Sequence, residues 1–199
     1  MAVSRTKAKL VDVARQLFAK MGVENTTMND IALASKKGRR TLYTYFKSKE
    51  DIYMAVVESE LDILSDMMKR VADKDVSPER KIIEMIYTRL NAVKEAVYRN
   101  GTLRANFFRD IWRVEKVRKR FDAKEIQLFR DVLREGVEKG VFEIDDVDMT
   151  AALVHYSVKG IEVPYIRGHI GANLDDETRN KYVIHIVFGA LHRTKKDIK

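Results

Sequence analysis

Nine consecutive residues, Arg39-Arg40-Thr41-Leu42-Tyr43-Thr44-Tyr45-Phe46-Lys47, gather side chains that grip or read a polyanion. An arginine fork pairs bidentately with guanine, threonine offers a methyl and a hydroxyl to base edges, and tyrosine hydroxyls reach phosphate oxygens. At helical spacing Leu42 and Phe46 form an apolar i, i+4 pair, which leaves Arg40, Tyr43, Thr44 and Lys47 together on the other side. A recognition helix is built this way. Lys49 follows Ser48 at the start of the next helix, where a cation opposes the helix dipole. A phosphate that also meets the free amides there would explain it.

No comparable set of residues points to catalysis. There is no cysteine, which removes disulfides, thiolate metal sites and cysteine nucleophiles. None of His155, His169, His185 or His192 has a glutamate three residues earlier, and no two histidines stand four apart, so no metal or cofactor is expected. A Gly-x-Ser-x-Gly elbow, a phosphate-cradling glycine loop and a dinucleotide fingerprint are absent too. The chain is therefore not expected to be an enzyme. Met85, Tyr87, Phe107, Phe108, Trp112, His155 and Tyr156 are candidates to line a small-molecule pocket, or they are core. Arg113, Lys116, Arg118, Lys119 and Arg120 form a basic run that suits a solvated face or an anionic effector.

The elements that must position these residues are helices. With 199 residues, 45% of them apolar, and only two prolines, the composition leaves long windows favourable to helix. An all-α fold is expected. The first helix runs from Ser4 to Met21 and stops at Gly22, where a left-handed cap belongs. Thr27 caps a short second helix, with Asp30 answering in a capping box. Lys36-Lys37-Gly38 breaks it, and a sharp turn leads into the third. Ser48 opens a fourth helix to about Val71, with Val56, Leu61, Ile63, Leu64 and Met67 or Met68 inward. Ser77-Pro78 starts a central fifth. Further helices are expected over Leu103–Trp112, Val114–Lys139 with a possible break near Phe121, Asp146–Arg167 and Asp175–Arg193.

The charge follows the same division. The chain carries a net +8, and residues 1–49 hold eleven Lys and Arg against three acids, so the whole excess sits in that quarter. Such a basic module on a neutral body suits a polyanion, with a membrane surface as the rival partner. No apolar run near the length of a membrane span occurs, and the N-terminus does not read as a signal peptide, so a cytoplasmic location is expected.

Thr27-Met28-Asn29-Asp30-Ile31-Ala32, followed by Thr41-Leu42-Tyr43-Thr44-Tyr45-Phe46-Lys47-Ser48-Lys49-Glu50-Asp51-Ile52, resembles the N-terminal signature of TetR-family transcriptional regulators. The resemblance implies a helix-turn-helix DNA-binding domain over residues 1–50 and a ligand-binding and dimerisation bundle over 51–199. It implies a homodimer on a palindromic operator in double-stranded DNA, acting as a repressor released by a small-molecule effector. The alternative is a helix-turn-helix regulator without a ligand, constitutive or governed by a protein partner. Carried over by position, Thr27, Thr41, Tyr43, Tyr45 and Lys49 match phosphate-holding residues, and Asn29, Arg39, Arg40 and Thr44 match base-reading ones. Across the turn, where the family often has a small residue, Gly, Val and Ser, this chain has Ser35, Lys36, Lys37 and Gly38. Lys37 therefore adds charge on the DNA side. In the body the resemblance implies that the last two long helices pair with their copies. Val158 and Ile161, and Val183, Ile186, Val187, Ala190 and Leu191, supply apolar stripes for that seam or for ordinary core.

Overall fold

The computed structural model describes residues 2–99 and 111–170, and beyond them residues 173–175, 177–178, 181–182 and 185–186. Of residues 2–4, 97–99 and 111–117 it describes the backbone alone. The described residues form seven α-helices and no strand: α1 (Ala2–Met21), α2 (Met28–Ala34), α3 (Arg39–Tyr45), α4 (Lys49–Ala72), α5 (Pro78–Arg99), α6 (Ile111–Glu138) and α7 (Val147–Ile166). The expected helix over Leu103–Trp112 lies outside the described residues but for its last two positions, and most of Asp175–Arg193 lies outside them too.

Local chemistry sets the helix starts. The Thr27 hydroxyl accepts from the Asp30 amide at 3.1 Å, and the Asp30 carboxylate accepts from the Thr27 amide at 2.8 Å, which completes the capping box. Ser48 and Asp51 repeat the device at α4, with Ser48 Oγ accepting from the Asp51 amide and Asp51 Oδ2 from the Ser48 and Lys47 amides. Asp146 caps α7 by accepting from the Met149 amide at 2.9 Å. At the other ends Gly22, Gly140 and Gly168 take positive φ of 91°, 69° and 70° just past α1, α6 and α7. α6 continues without a break through Phe121, which is buried and so keeps the helix against the body.

By compactness the chain parts into two units, Met1–Ile63 with Glu95–Lys119, and Leu64–Lys94 with Arg120–Lys199. In the first, Leu10, Ala14 and Phe18 of α1 pack with Ile31, Leu42, Phe46, Ile52 and Val56. α2 and α3 have seven residues each, far below the roughly 12–15 at which an isolated helix holds in water. They exist because Ile31, Leu42 and Phe46 are buried, each worth about 1.5–3 kcal/mol. Arg15 of α1 adds a polar tie to α4, with its guanidinium 2.9 Å from Glu60 and 2.8 Å from the Ser59 hydroxyl. In the second unit Met68, Ile82, Met85, Ile86, Phe129, Leu133 and Val158 are closed from solvent. Ile63 of α4, expected inward, is exposed, as Met67 also is, so the apolar face of α4 passes through Leu64 and Met68.

Candidate nucleic-acid interface

α3 presents two unlike faces. Leu42 is fully buried and Phe46 nearly so, while Arg39, Arg40, Tyr43, Thr44 and Lys47 are exposed and Thr41 and Tyr45 half-buried. The two apolar anchors thus fix which way the polar residues face. Asn29, at the exposed start of α2, and Lys37, half-buried in the turn, complete a surface of cations and hydroxyls. The Thr44 hydroxyl donates to the Arg40 carbonyl at 2.9 Å, so toward a base it keeps its methyl and its acceptor lone pairs. Thr27 Oγ1 donates to Asp30 Oδ2 at 2.7 Å, and its hydrogen bonds hold the Asp30 carboxyl below the usual carboxylate range.

The α2–α3 turn closes in a way the sequence does not announce. The Lys36 amide donates to Leu33 O at 3.0 Å and the Lys37 amide to Ala32 O at 3.1 Å, the pair of bonds that define a Schellman cap. Gly140 and Gly168 occupy the equivalent place in the caps of α6 and α7, with the same two bonds. Lys36 stands there with φ of 55°, a left-handed conformation that a Cβ makes costly by roughly 1–2 kcal/mol. The local signal for it is a missing glycine rather than a present one. Gly38 then begins α3 without a side-chain cap, a loss of only a few tenths of a kcal/mol relative to serine. Lys36→Gly is accordingly expected to stabilise the protein by about 1 kcal/mol, seen as a raised Tm, while weakening DNA binding by one cation per subunit.

Lys49 has partners that its position in sequence conceals. Its ammonium crosses back to the α1–α2 loop and donates to Val23 O at 2.8 Å and Glu24 O at 3.1 Å. The side chain thereby leaves the positive end of α4 for two carbonyl dipoles, which resolves the conflict with the helix dipole. An ammonium has three protons, so one is left for a phosphate. Lys49→Ala is expected to lower stability by about 1.5–3 kcal/mol through these bonds, checked by urea unfolding.

Residues named for the body fall in several places. Met85 is fully buried among apolar side chains, Tyr87 is half-buried and Tyr156 exposed. Phe107 and Phe108 lie outside the described residues, as do Val183, Val187, Ala190 and Leu191; of Trp112 only the backbone is described. Val158 is fully buried, Ile161 half-buried and Ile186 exposed. His155, wholly enclosed, sits in a set of charges that sequence reading did not assemble. Its Nε2 is 3.3 Å from Asp122 Oδ1 and its Nδ1 3.2 Å from Glu125 Oε2. Lys159 Nζ donates to Asp122 Oδ2 at 2.5 Å, while Arg89 bonds both oxygens of Glu125 and, at 2.5 Å, Glu162. The visible trace of this set was Asp122-x-x-Glu125, together with three chargeable side chains, His155, Lys159 and Glu162, in a largely apolar stretch of α7. Burial works to raise the Asp122 carboxyl, but His155 and Lys159 prevail and hold it down at about 2.

Residues 10–56 match the family described as bacterial regulatory proteins, tetR family. The chain is 26% identical over 195 residues to the transcriptional repressor KstR2 of Mycolicibacterium smegmatis, covering 95% of this chain and 92% of that protein. It is 24% identical over 158 residues to the transcriptional regulator QacR of Staphylococcus aureus, covering 78% and 83%. Among solved structures, the regulator FadR of Bacillus subtilis in complex with stearoyl-CoA superposes with a TM-score of 0.68 at 14% identity, covering 93% of this chain and 99% of that one. These similarities point to transcriptional regulation and not to an enzyme. No helix of the described residues is long and apolar enough to cross a membrane.

Proposed function

The chain belongs, through its N-terminal residues, to the tetR family of bacterial regulatory proteins and is a DNA-binding transcriptional regulator; on that footing we propose a cytoplasmic repressor whose two copies hold a palindromic operator and release it when a small molecule binds the body. The observation that carries this reading is the exposed face of α3, set by buried Leu42 and Phe46. Arg39, Arg40, Thr44 and Asn29 read base edges; Thr27, Lys37, Thr41, Tyr43, Tyr45 and Lys49 hold phosphates. The domain that does this is residues 1–50, and residues 51–199 carry effector and dimer contacts.

A second copy of the chain has a face to meet. Along α7 the exposed residues Met149, Leu153, Tyr156 and Gly160 recur at i, i+4, i+7 and i+11, one continuous stripe. Among the described residues no atom outside the adjoining turns of α7 lies within 4 Å of the place a Cβ would take at Gly160, so a partner helix has room to approach there. Val158 is buried in the core of its own unit and Ile161 packs against that core, which supports this exposed stripe as the α7 side of the proposed seam. Exposed Tyr182 and Ile186, also i and i+4, fit the other side.

An effector is supported by FadR, whose solved complex contains stearoyl-CoA. Met85 is closed into apolar core and His155 into its carboxylates, which leaves half-buried Tyr87 as the better described candidate for a pocket wall.

Arg40→Ala tests the reading of α3. We expect it to relax base preference at one position of each half-site, costing about 1–3 kcal/mol against the preferred base, while Lys49→Ala weakens all duplexes alike and flattens the salt slope by about two units per dimer. Competition binding on a set of singly substituted duplexes separates the two. Uniform weakening by Arg40→Ala would remove it from the base-reading set.

A further inference from the structure

Six chargeable side chains meet inside the second unit: Arg89 from α5, Asp122 and Glu125 from α6, and His155, Lys159 and Glu162 from α7. His155 is 0% exposed, and each ring nitrogen looks at a different carboxylate, Nε2 at Asp122 and Nδ1 at Glu125. Carboxylates only accept, and a neutral imidazole carries one lone pair. Either neutral tautomer therefore turns that lone pair toward a carboxylate oxygen with no proton between them. Only the doubly protonated ring places a proton, and a positive charge, toward both carboxylates. The charge count among these six agrees: three acids face Arg89 and Lys159, and the sixth group balances the set when it is positive.

We propose that the body holds His155 as an imidazolium, a bound proton that ties α6 to α7 beside the Arg89 contact with α5, and that loss of this proton at alkaline pH loosens the three helices. A divalent cation is the rival occupant, since Asp122, Glu125 and His155 offer ligand atoms within 4.8 Å of one another. Both Glu125 oxygens already accept from Arg89 and Asp122 Oδ2 from Lys159, and the charges of Arg89 and Lys159 oppose a cation. Neither ring nitrogen is well aligned on its oxygen, so the tie is more ionic than directional. Burial works to lower the ring's pKa, but the facing carboxylates outweigh it, and the nearby Arg89, and raise it above the ordinary 6.5. With a folded value above the unfolded one, the tie contributes fully below about 6.5 and is lost as pH rises through the folded value. Tyr156, edge-on to the ring at 5.0 Å between centroids, is the remaining titratable neighbour on α7.

The test is nuclear magnetic resonance of the histidine rings in the full-length protein from pH 5.5 to 9.5, with His155→Gln to assign the signal and Asp122→Asn to perturb it. We expect a ring doubly protonated at pH 7, titrating above 6.5, and moving to lower pH in Asp122→Asn. In urea the unfolding constant should rise with pH by about tenfold for each unit separating folded and unfolded values. That slope should vanish in His155→Gln, and if this variant does not fold, Asp122→Asn carries both readouts. A neutral tautomer at pH 7 would overturn the proposal. So would displacement of the proton by zinc or manganese at pH 7, which would make the cluster a metal site.

Discussion

Leu153→Glu is expected to turn the protein into a folded monomer whose affinity for a full palindromic site falls by about 10²–10⁴. Leu153 is 59% exposed in the single chain, so the substitution disturbs little within its own subunit. In the proposed dimer this stripe meets its own copy across a two-fold axis, and a glutamate there places two like charges in an apolar seam. Once the copies separate, each half-site is held by one α3 alone, and the gain from holding two at once disappears. Sedimentation should report a halved mass with unchanged helical signal, and isolated half-site affinity should persist. A variant that stays dimeric and binds normally would place the seam elsewhere.

Arg89→Ala has the largest expected effect on stability. Its guanidinium is buried against Glu125 and Glu162, and burial of the cation is offset by these two carboxylates and Asp122, which together raise its affinity for the proton. Truncation leaves two enclosed carboxylates without their common partner, a loss of about 3–5 kcal/mol. The pair of contacts is weaker evidence for stability than that figure suggests, because well-packed apolar replacements of all three are often neutral or better. We therefore expect Arg89→Met with Glu125→Leu and Glu162→Leu to recover most of what Arg89→Ala loses in urea unfolding. If the single variant costs less than about 1 kcal/mol, the network is solvated and not enclosed.

The helix starts were legible because a cap is a local event. Thr27 with Asp30, Ser48 with Asp51 and Asp146 with Met149 each act over three residues, and the sequence shows both partners together. The two faces of α3 were legible for the same reason, since a period of 3.6 separates Leu42 and Phe46 from Arg40 and Thr44. Long-range pairing was not. Lys49 reaches carbonyls about 25 residues back, and Arg89 meets Glu125 and Glu162 at separations of 36 and 73. A neutral body charge hid that network, because paired ions sum to nothing in a count. Lys36 was masked by residue type, for a lysine gives no sign of positive φ; the departure from glycine at that place in the TetR-like turn was the available hint. On α7 the apolar stripe read from the sequence runs through Val158 and Ile161, and only packing shows that Val158 is buried in the core while Leu153 stands exposed.

Selection of bound duplexes from random-sequence DNA, with the stoichiometry of the selected complex, tests the central claim most directly. A two-copy repressor should enrich a palindrome whose half-site centres lie about one DNA turn, roughly 34–36 Å, or a multiple of it apart. Equal numbers of protein chains and half-sites are expected, with Arg40→Ala erasing preference at one symmetric pair of positions. Enrichment of no sequence, or of a single asymmetric site bound by one chain, would contradict that claim.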